Sequence, residues 1–169
     1  MLPSLSSKKL SELQETTIAR YLGWGRVAGS GARPTMPGDI SGNDWLGECK
    51  THNSPFTKIR FQLTVWNKIA DEAASKFKQP AYFSDDGSQT TAKTWVIFKP
   101  QELKVPYNPI ACPFVSEGSV NFYHNTLVDK LKSYRVPFPL MQFIWNLPKP
   151  TNLWICNLET FRDILEGAI

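Results

Sequence analysis

A chain of 169 residues, 41% hydrophobic and with six tryptophans, is long enough for one domain with a sizeable core, is too short for two full ones, and does not read as a disordered segment. Its formal net charge of +4 favours an anionic partner, nucleic acid among them. Cys49, Cys112 and Cys156 are widely spaced and form no CxxC, which argues against a zinc ribbon or clustered iron–sulfur site. Together with the lack of a membrane-length apolar run or a signal-type opening, this leads to the expectation of a reduced, cytosolic protein with no membrane partner.

In chain order, residues 4–22 predict a helix. Ser6 or Ser7 caps it, Leu10, Leu13, Thr17 and Tyr21 follow three- and four-residue steps with Ile18 beside them, and Gly23 ends it. Glu15 lies to one side of that stripe. Gly29-Ser30-Gly31-Ala32-Arg33-Pro34 is too glycine-rich for a stable strand. As a loop it offers backbone amides, the Ser30 hydroxyl and the Arg33 guanidinium to phosphate oxygens of DNA, or it is a plain linker.

Pro37-Gly38-Asp39-Ile40 and Trp45-Leu46-Gly47-Glu48-Cys49-Lys50 flank the turn residues Ser41-Gly42-Asn43-Asp44, the pattern of a β-hairpin. With Gly42-Asn43 as a two-residue loop, Ile40 faces Trp45 and Asp39 faces Leu46. Period-two alternation then gives Asp39, Leu46, Glu48 and Lys50 one face, with Glu48 diagonal to Asp39 at roughly 7–8 Å. Two carboxylates at that spacing suit a hard divalent cation. Mg2+, with Mn2+ as substitute, takes oxygen ligands and keeps several waters, so Asp39, Glu48 and the backbone carbonyl of Cys49 suffice to hold it. A phosphodiester is anionic and repels hydroxide. Its hydrolysis near neutral pH needs charge neutralisation and an activated water, which bound Mg2+ supplies and the Lys50 ammonium assists. The same residues also suit a turn aspartate and an ordinary surface Glu–Lys pair.

The stretch resembles the PD-(D/E)XK nuclease superfamily, with Pro37-Gly38-Asp39 in place of a literal Pro-Asp and Glu48-Cys49-Lys50 as Glu-x-Lys. More narrowly, Glu15 in the first helix, then Arg26-Val27-Ala28-Gly29-Ser30-Gly31-Ala32-Arg33, then the Asp and Glu-x-Lys parts, are similar to archaeal-type Holliday junction resolvases and their phage relatives. The likeness spans residues 8 to about 100. It implies an α/β fold with a restriction-endonuclease-like core over residues 1–103, its mixed central sheet flanked by helices. Residues 104–169 are then a C-terminal α/β extension packed on the same domain. It further implies a Mg2+-dependent, structure-selective DNA endonuclease of a prokaryotic or phage-infected cell's cytoplasm, with Asp39, Glu48, Lys50 and Glu15 catalytic. In the bland reading Glu15 is a solvated helix glutamate. Symmetric cutting of a four-way junction requires two active sites, hence a homodimer on branched DNA. A nickase, a restriction- or repair-type nuclease of the same superfamily, and a catalytically silent DNA-binding protein on that fold remain as alternatives.

After Lys50, Ser54 suits a cap and Pro55 a first helical position. Ile59, Leu63, Trp66, Ala70, Ala73 and Phe77 then repeat at steps of four and three, predicting one long helix. Lys58 and Arg60 fall in its first turns and Gln62 one turn deeper, as DNA phosphate contacts beside a nuclease site or as a solvated basic face. His52 contacts DNA, shuttles protons, or does neither. Ala81 to Ser84 reads as a strand, Asp85-Asp86-Gly87-Ser88 as a turn, and Thr94 to Phe98 as an apolar strand stopped by Lys99-Pro100. Residues 104–119 predict a loop or arm, Val120 to Tyr134 a short helix, Phe138 to Trp145 and Leu153 to Cys156 strands, and Glu159 to Leu165 a final helix. This last third extends the sheet, forms a dimer face through the aromatic-rich Phe138–Trp154 segment, or clamps substrate.

Overall fold

The structure is a computed structural model that describes residues 6–27, 38–51, 58–85, 93–99, 108–109, 115–116, 119–123, 125, 127–129, 141–145 and 151–167. Helix α1 (Ser7–Leu22) begins where Ser6 accepts a hydrogen bond from Lys9 N and ends where Gly23 takes the left-handed conformation, φ 71°. An antiparallel meander follows, of β1 (Gly25–Arg26), β2 (Ile40–Ser41) and β3 (Trp45–Lys50). Next come β4 (Lys58–Gln62), helix α2 (Leu63–Ser75), β5 (Gln79–Asp85) and β6 (Thr94–Phe98). The remaining elements are β7 (Asn108–Pro109), β8 (Val115–Ser116), β9 (Ser119–Tyr123), β10 (Met141–Trp145), β11 (Thr151–Asn157) and α3 (Leu158–Leu165).

Among the described residues, one open mixed sheet runs β1-β2-β3-β5-β6-β11-β10-β7, with the β3–β5 and β10–β7 pairs parallel. A smaller antiparallel sheet runs β4-β9-β8. The fold is therefore α/β, a mixed central sheet flanked by helices. One face buries Leu46, Tyr82, Ile97 and Ile155 against Trp66, Ile69 and Ala73 of α2 and Ile59, Phe61 and Phe122 of the small sheet. The other buries Trp45, Cys49, Phe83, Val96 and Phe98 against Ile18 of α1 and Phe161 of α3. Strands from beyond residue 104 join both sheets. No helix among the described residues is long and apolar enough to cross a membrane.

The predicted long helix is corrected. Residues 58–62 are a strand, and α2 starts at Leu63, preceded by Gln62 with no side-chain cap. Ile59 and Phe61 are buried at period two and pair with Phe122 and Val120 of β9, sixty residues away, a partner no local pattern announces. The buried positions of α2 are Trp66, Ile69 and Ala73. Phe77, predicted to end the apolar stripe, is 98% exposed. It lies past the helix end at φ 56°, where Lys78 N closes on Ala73 O at 2.8 Å. A side chain in this left-handed position costs about 1–2 kcal/mol. Phe77→Gly is therefore expected to raise stability by about 0.5–1 kcal/mol, read as a higher urea midpoint at unchanged slope.

Two further expectations are revised. Asp85, read as a turn residue, is the fully buried last residue of β5 and accepts a hydrogen bond from Thr51 Oγ1. Ser119, read as the end of a loop, and residues 120–123, read as the start of a helix, form β9; helical conformation appears at Asn125 and Leu127–Asp129, with Leu127 buried. Asp86, Leu131 and Tyr134 lie outside the described residues.

Candidate functional site

The hairpin turns one residue later than its turn signals suggest. Gly42 N donates to Trp45 O at 3.0 Å, so Asn43-Asp44 is the loop, and Ile40 pairs with Gly47 and Ser41 with Leu46. Moving a turn by one residue shifts the pairing by two, which leaves β3 on its predicted faces. Glu48 and Lys50 share a face and meet at 3.6 Å.

Asp39 departs from that simple alternation. Its N–H donates to Gly47 O at 2.8 Å while Ile40 is Gly47's ladder partner, so two residues oppose one and form a β-bulge. Beyond it the ladder stops, and Asp39 Oδ2 accepts from Cys49 N at 2.8 Å where a strand carbonyl would otherwise stand. The bulge thus turns Asp39 to the sheet edge rather than flat onto Glu48's face. The N–H and C=O of one strand residue point to the same edge, so the Cys49 carbonyl also faces the Asp39 side. The Cys49 thiol lies on the opposite, apolar face, and burial holds its pKa well above the ordinary thiol value.

Gly38 explains why no proline precedes the aspartate. It takes φ 67°, a Cβ there would stand 2.8 Å from Leu46 Cγ, and its N–H donates to Glu72 Oε2 of α2 at 2.9 Å. Proline fixes φ near −65° and has no N–H, so it fits neither requirement.

Electrostatically this corner is short of positive charge. Burial, then repulsion from Asp39, lifts the Glu48 pKa from 4.5 to about 7; Glu72 adds to the rise, and Lys50 and Lys68 oppose it. Glu15 reaches the corner from α1, half-buried. Its pKa is raised by burial and then by Asp39, while Arg26, bonded to its Oε2 at 3.0 Å, lowers it. Gln14, one residue back and 1% exposed, donates through Nε2 to Lys50 O at 2.7 Å and fixes the strand end to the helix.

Glu48's face continues into a cleft of about 190 Å3 lined by Lys50, Thr51, Arg60, Gln62, Tyr82 and Ser84. The β4 strand puts Arg60 and Gln62 on one side, where a helix would have splayed them apart. Ser84 Oγ donates to Arg60 O at 3.2 Å and Gln62 N to Tyr82 Oη at 3.4 Å, tying β4 to β5. Lys58 is the first residue of β4. Ser30, Arg33 and His52 lie outside the described residues.

The donors fit a hard cation by type. Carboxylates of Asp39 and Glu48, crowded and part-buried, gain from any positive charge placed between them. Gln14 Oε1, buried with no hydrogen-bond partner, is a further oxygen near the Lys50 end of β3. Among the described residues no group of three or more His, Cys, Asp or Glu side chains stands close enough to hold a metal ion. A cation here would thus rest on two carboxylates with backbone oxygen and water, an arrangement that Mg2+ accepts. The sequence reading missed Glu72, Lys68, Tyr82 and Gln14. The Lys68–Glu72 spacing of four, an ion pair at 3.8 Å, was the one local signal for any of them. The chain matches no protein-family model, no curated protein and no solved structure.

Proposed function

We propose that this chain is a Mg2+-dependent DNA endonuclease on a restriction-endonuclease-like core, selective for branched DNA and acting as a homodimer. The observation that carries the reading is the convergence of Asp39, Glu48 and Lys50 at one sheet corner, with the Lys50 ammonium 3.6 Å from Glu48 and a cleft bearing Arg60 opening beside it. Asp39 and Glu48, with the Cys49 carbonyl, hold the cation. Mg2+, when bound, offsets phosphoryl charge and lowers the pKa of its water. Lys50, about half exposed, orients the attacking water or faces the charge that builds on phosphorus. Arg60 and Gln62 offer a guanidinium and an amide to the backbone phosphates next to the scissile one, joined by Lys58, Ser30 and Arg33. Glu15, paired with Arg26 and repelled by Asp39, stands beside the corner without completing a set of three carboxylate ligands.

Cleavage of labelled duplex, single strand, flap and four-way junction, each with and without Mg2+, tests this. Junction cutting is expected to need Mg2+ or Mn2+. Asp39→Asn is expected to lower it on the order of 10³-fold while junction binding persists, since the loss of a metal ligand removes several kcal/mol of charge stabilisation. Metal-independent cutting, or turnover by Asp39→Asn near the wild-type rate, removes the assignment. A monomer that cuts linear duplex as fast as a junction leaves a nuclease but not a resolvase-like one.

A further inference from the structure

We infer that Glu72 is a positioning residue for Asp39, acting from α2 through the Gly38 amide; this rests on the metal-dependent reading above. Asp39, part-buried, stands outside the regular ladder, since β2 begins only at Ile40. Its own backbone is fixed on the β3 and β1 sides by Asp39 N to Gly47 O and Val27 N to Asp39 O, both 2.8 Å. On the side towards the preceding chain, the described hold is Gly38 N to Glu72 Oε2 at 2.9 Å.

The chemistry of that contact suits a fixed support. A carboxylate accepting from a backbone N–H makes a charge-assisted bond, stronger than a neutral one. Glu72 is itself steadied by Lys68 Nζ at 3.8 Å from its other oxygen, and its side chain is 19% exposed. Gly38 is buried, so its N–H without Glu72 would lose its partner in a place water does not readily reach. The contact goes with an unusual backbone: Gly38 takes φ 67°, Asp39 beside it sits in the bulge, and its Oδ2 lies 2.8 Å from Cys49 N. Glu72 thus sets the angle from which the Asp39 carboxylate faces Glu48, without being a metal ligand itself. Groups that orient metal ligands from behind typically contribute 10–100-fold in metal affinity.

The test compares wild type, Glu72→Gln and Glu72→Ala, all as the full chain. Hydrogen exchange of the Gly38 and Asp39 amides is read first in metal-free protein. Both are expected to be protected in wild type and in Glu72→Gln, whose amide oxygen still accepts, and to exchange at least tenfold faster in Glu72→Ala. Mg2+ affinity is then read by calorimetry, and the Mg2+ dependence of junction cleavage beside it. Both variants lose the Glu72 charge, so the positioning role is read from their difference: Glu72→Ala should need 10–100-fold more Mg2+ than Glu72→Gln yet approach its rate at saturation. A residue that served stability alone would lower the melting temperature without moving the Mg2+ requirement, and that result overturns the inference. So does equal amide exchange in all three proteins. Wild type that binds no Mg2+ overturns the metal reading instead, a failure distinct from both because the exchange arm uses no metal.

Discussion

Glu48→Gln is expected to abolish cleavage and, in the same protein, to raise stability above neutral pH. The first effect follows from losing a carboxylate ligand, on the order of 10³-fold in rate. The second follows from burial. A carboxyl whose pKa rises from 4.5 unfolded to about 7 folded binds its proton more tightly in the native state. Native protein therefore loses stability as pH climbs from about 4.5 through 7, and the loss is complete above that window. The shift corresponds to at most about 3 kcal/mol, and relaxation of the site reduces it. Glutamine never ionises, so the melting-temperature gain over wild type should be near zero at pH 4 and a few degrees at pH 8. Mg2+ should close the gap from the other side, stabilising wild type at pH 8 by about 2.7 kcal/mol at a hundred times its Kd and leaving Glu48→Gln unmoved. Thermal melts across pH, with and without Mg2+, check all of this. A Glu48→Gln protein that still cuts, or that is less stable than wild type at pH 8, contradicts it; the latter would mean that the Lys50 pair outweighs desolvation.

Phe161→Ala is expected to cost about 3–5 kcal/mol, the range for truncating a buried aromatic. Phe161 on α3 is fully buried, with ring centroids 5.1 Å from Trp45, 5.3 Å from Phe98, 5.6 Å from Phe83 and 6.1 Å from Trp24. The edge-on and tilted arrangements add to area burial, so the upper half of that range is the expectation. The melting temperature should fall by about 10 °C or more. Because Phe161 lies on the sheet face away from Glu48, Mg2+ affinity at low temperature should stay at the wild-type value. A loss under about 1 kcal/mol would mean that α3 is peripheral and that the chain beyond residue 104 contributes little to the core holding β3.

What could be read without the fold was whatever neighbouring residues settle among themselves. Ser6 and Gly23 bracket α1 because caps satisfy backbone groups within a turn of themselves. Thr94–Phe98 was readable as a strand because a short apolar run stopped by Lys99-Pro100 has few other uses. Glu48 and Lys50 were bound to share a face because strand parity depends on spacing alone.

Pairing across distance was not readable in this way. Whether Ile59 and Phe61 belonged to a helix or a strand was decided by β9, which supplies hydrogen bonds that the local 4-3 stripe competes with. That choice also gathered Arg60 and Gln62 onto the wall of the Lys50 cleft. Asp85 looks like a turn residue by composition, yet it is buried in β5 and bonded to Thr51, because position in a sheet overrides the preference of a single residue.

The candidate site divides along the same line. Composition and spacing put two carboxylates and a lysine on the two arms of one hairpin, between residues 39 and 50. Tertiary structure alone decided how Asp39 is presented: a one-residue bulge turns it to the sheet edge, Cys49 N takes one of its oxygens, and α2 reaches across thirty-four positions to hold Gly38 through Glu72. The physical reason is that alternation is a property of a strand by itself, whereas the angle of a side chain at a strand's end depends on which distant groups satisfy the last backbone amides.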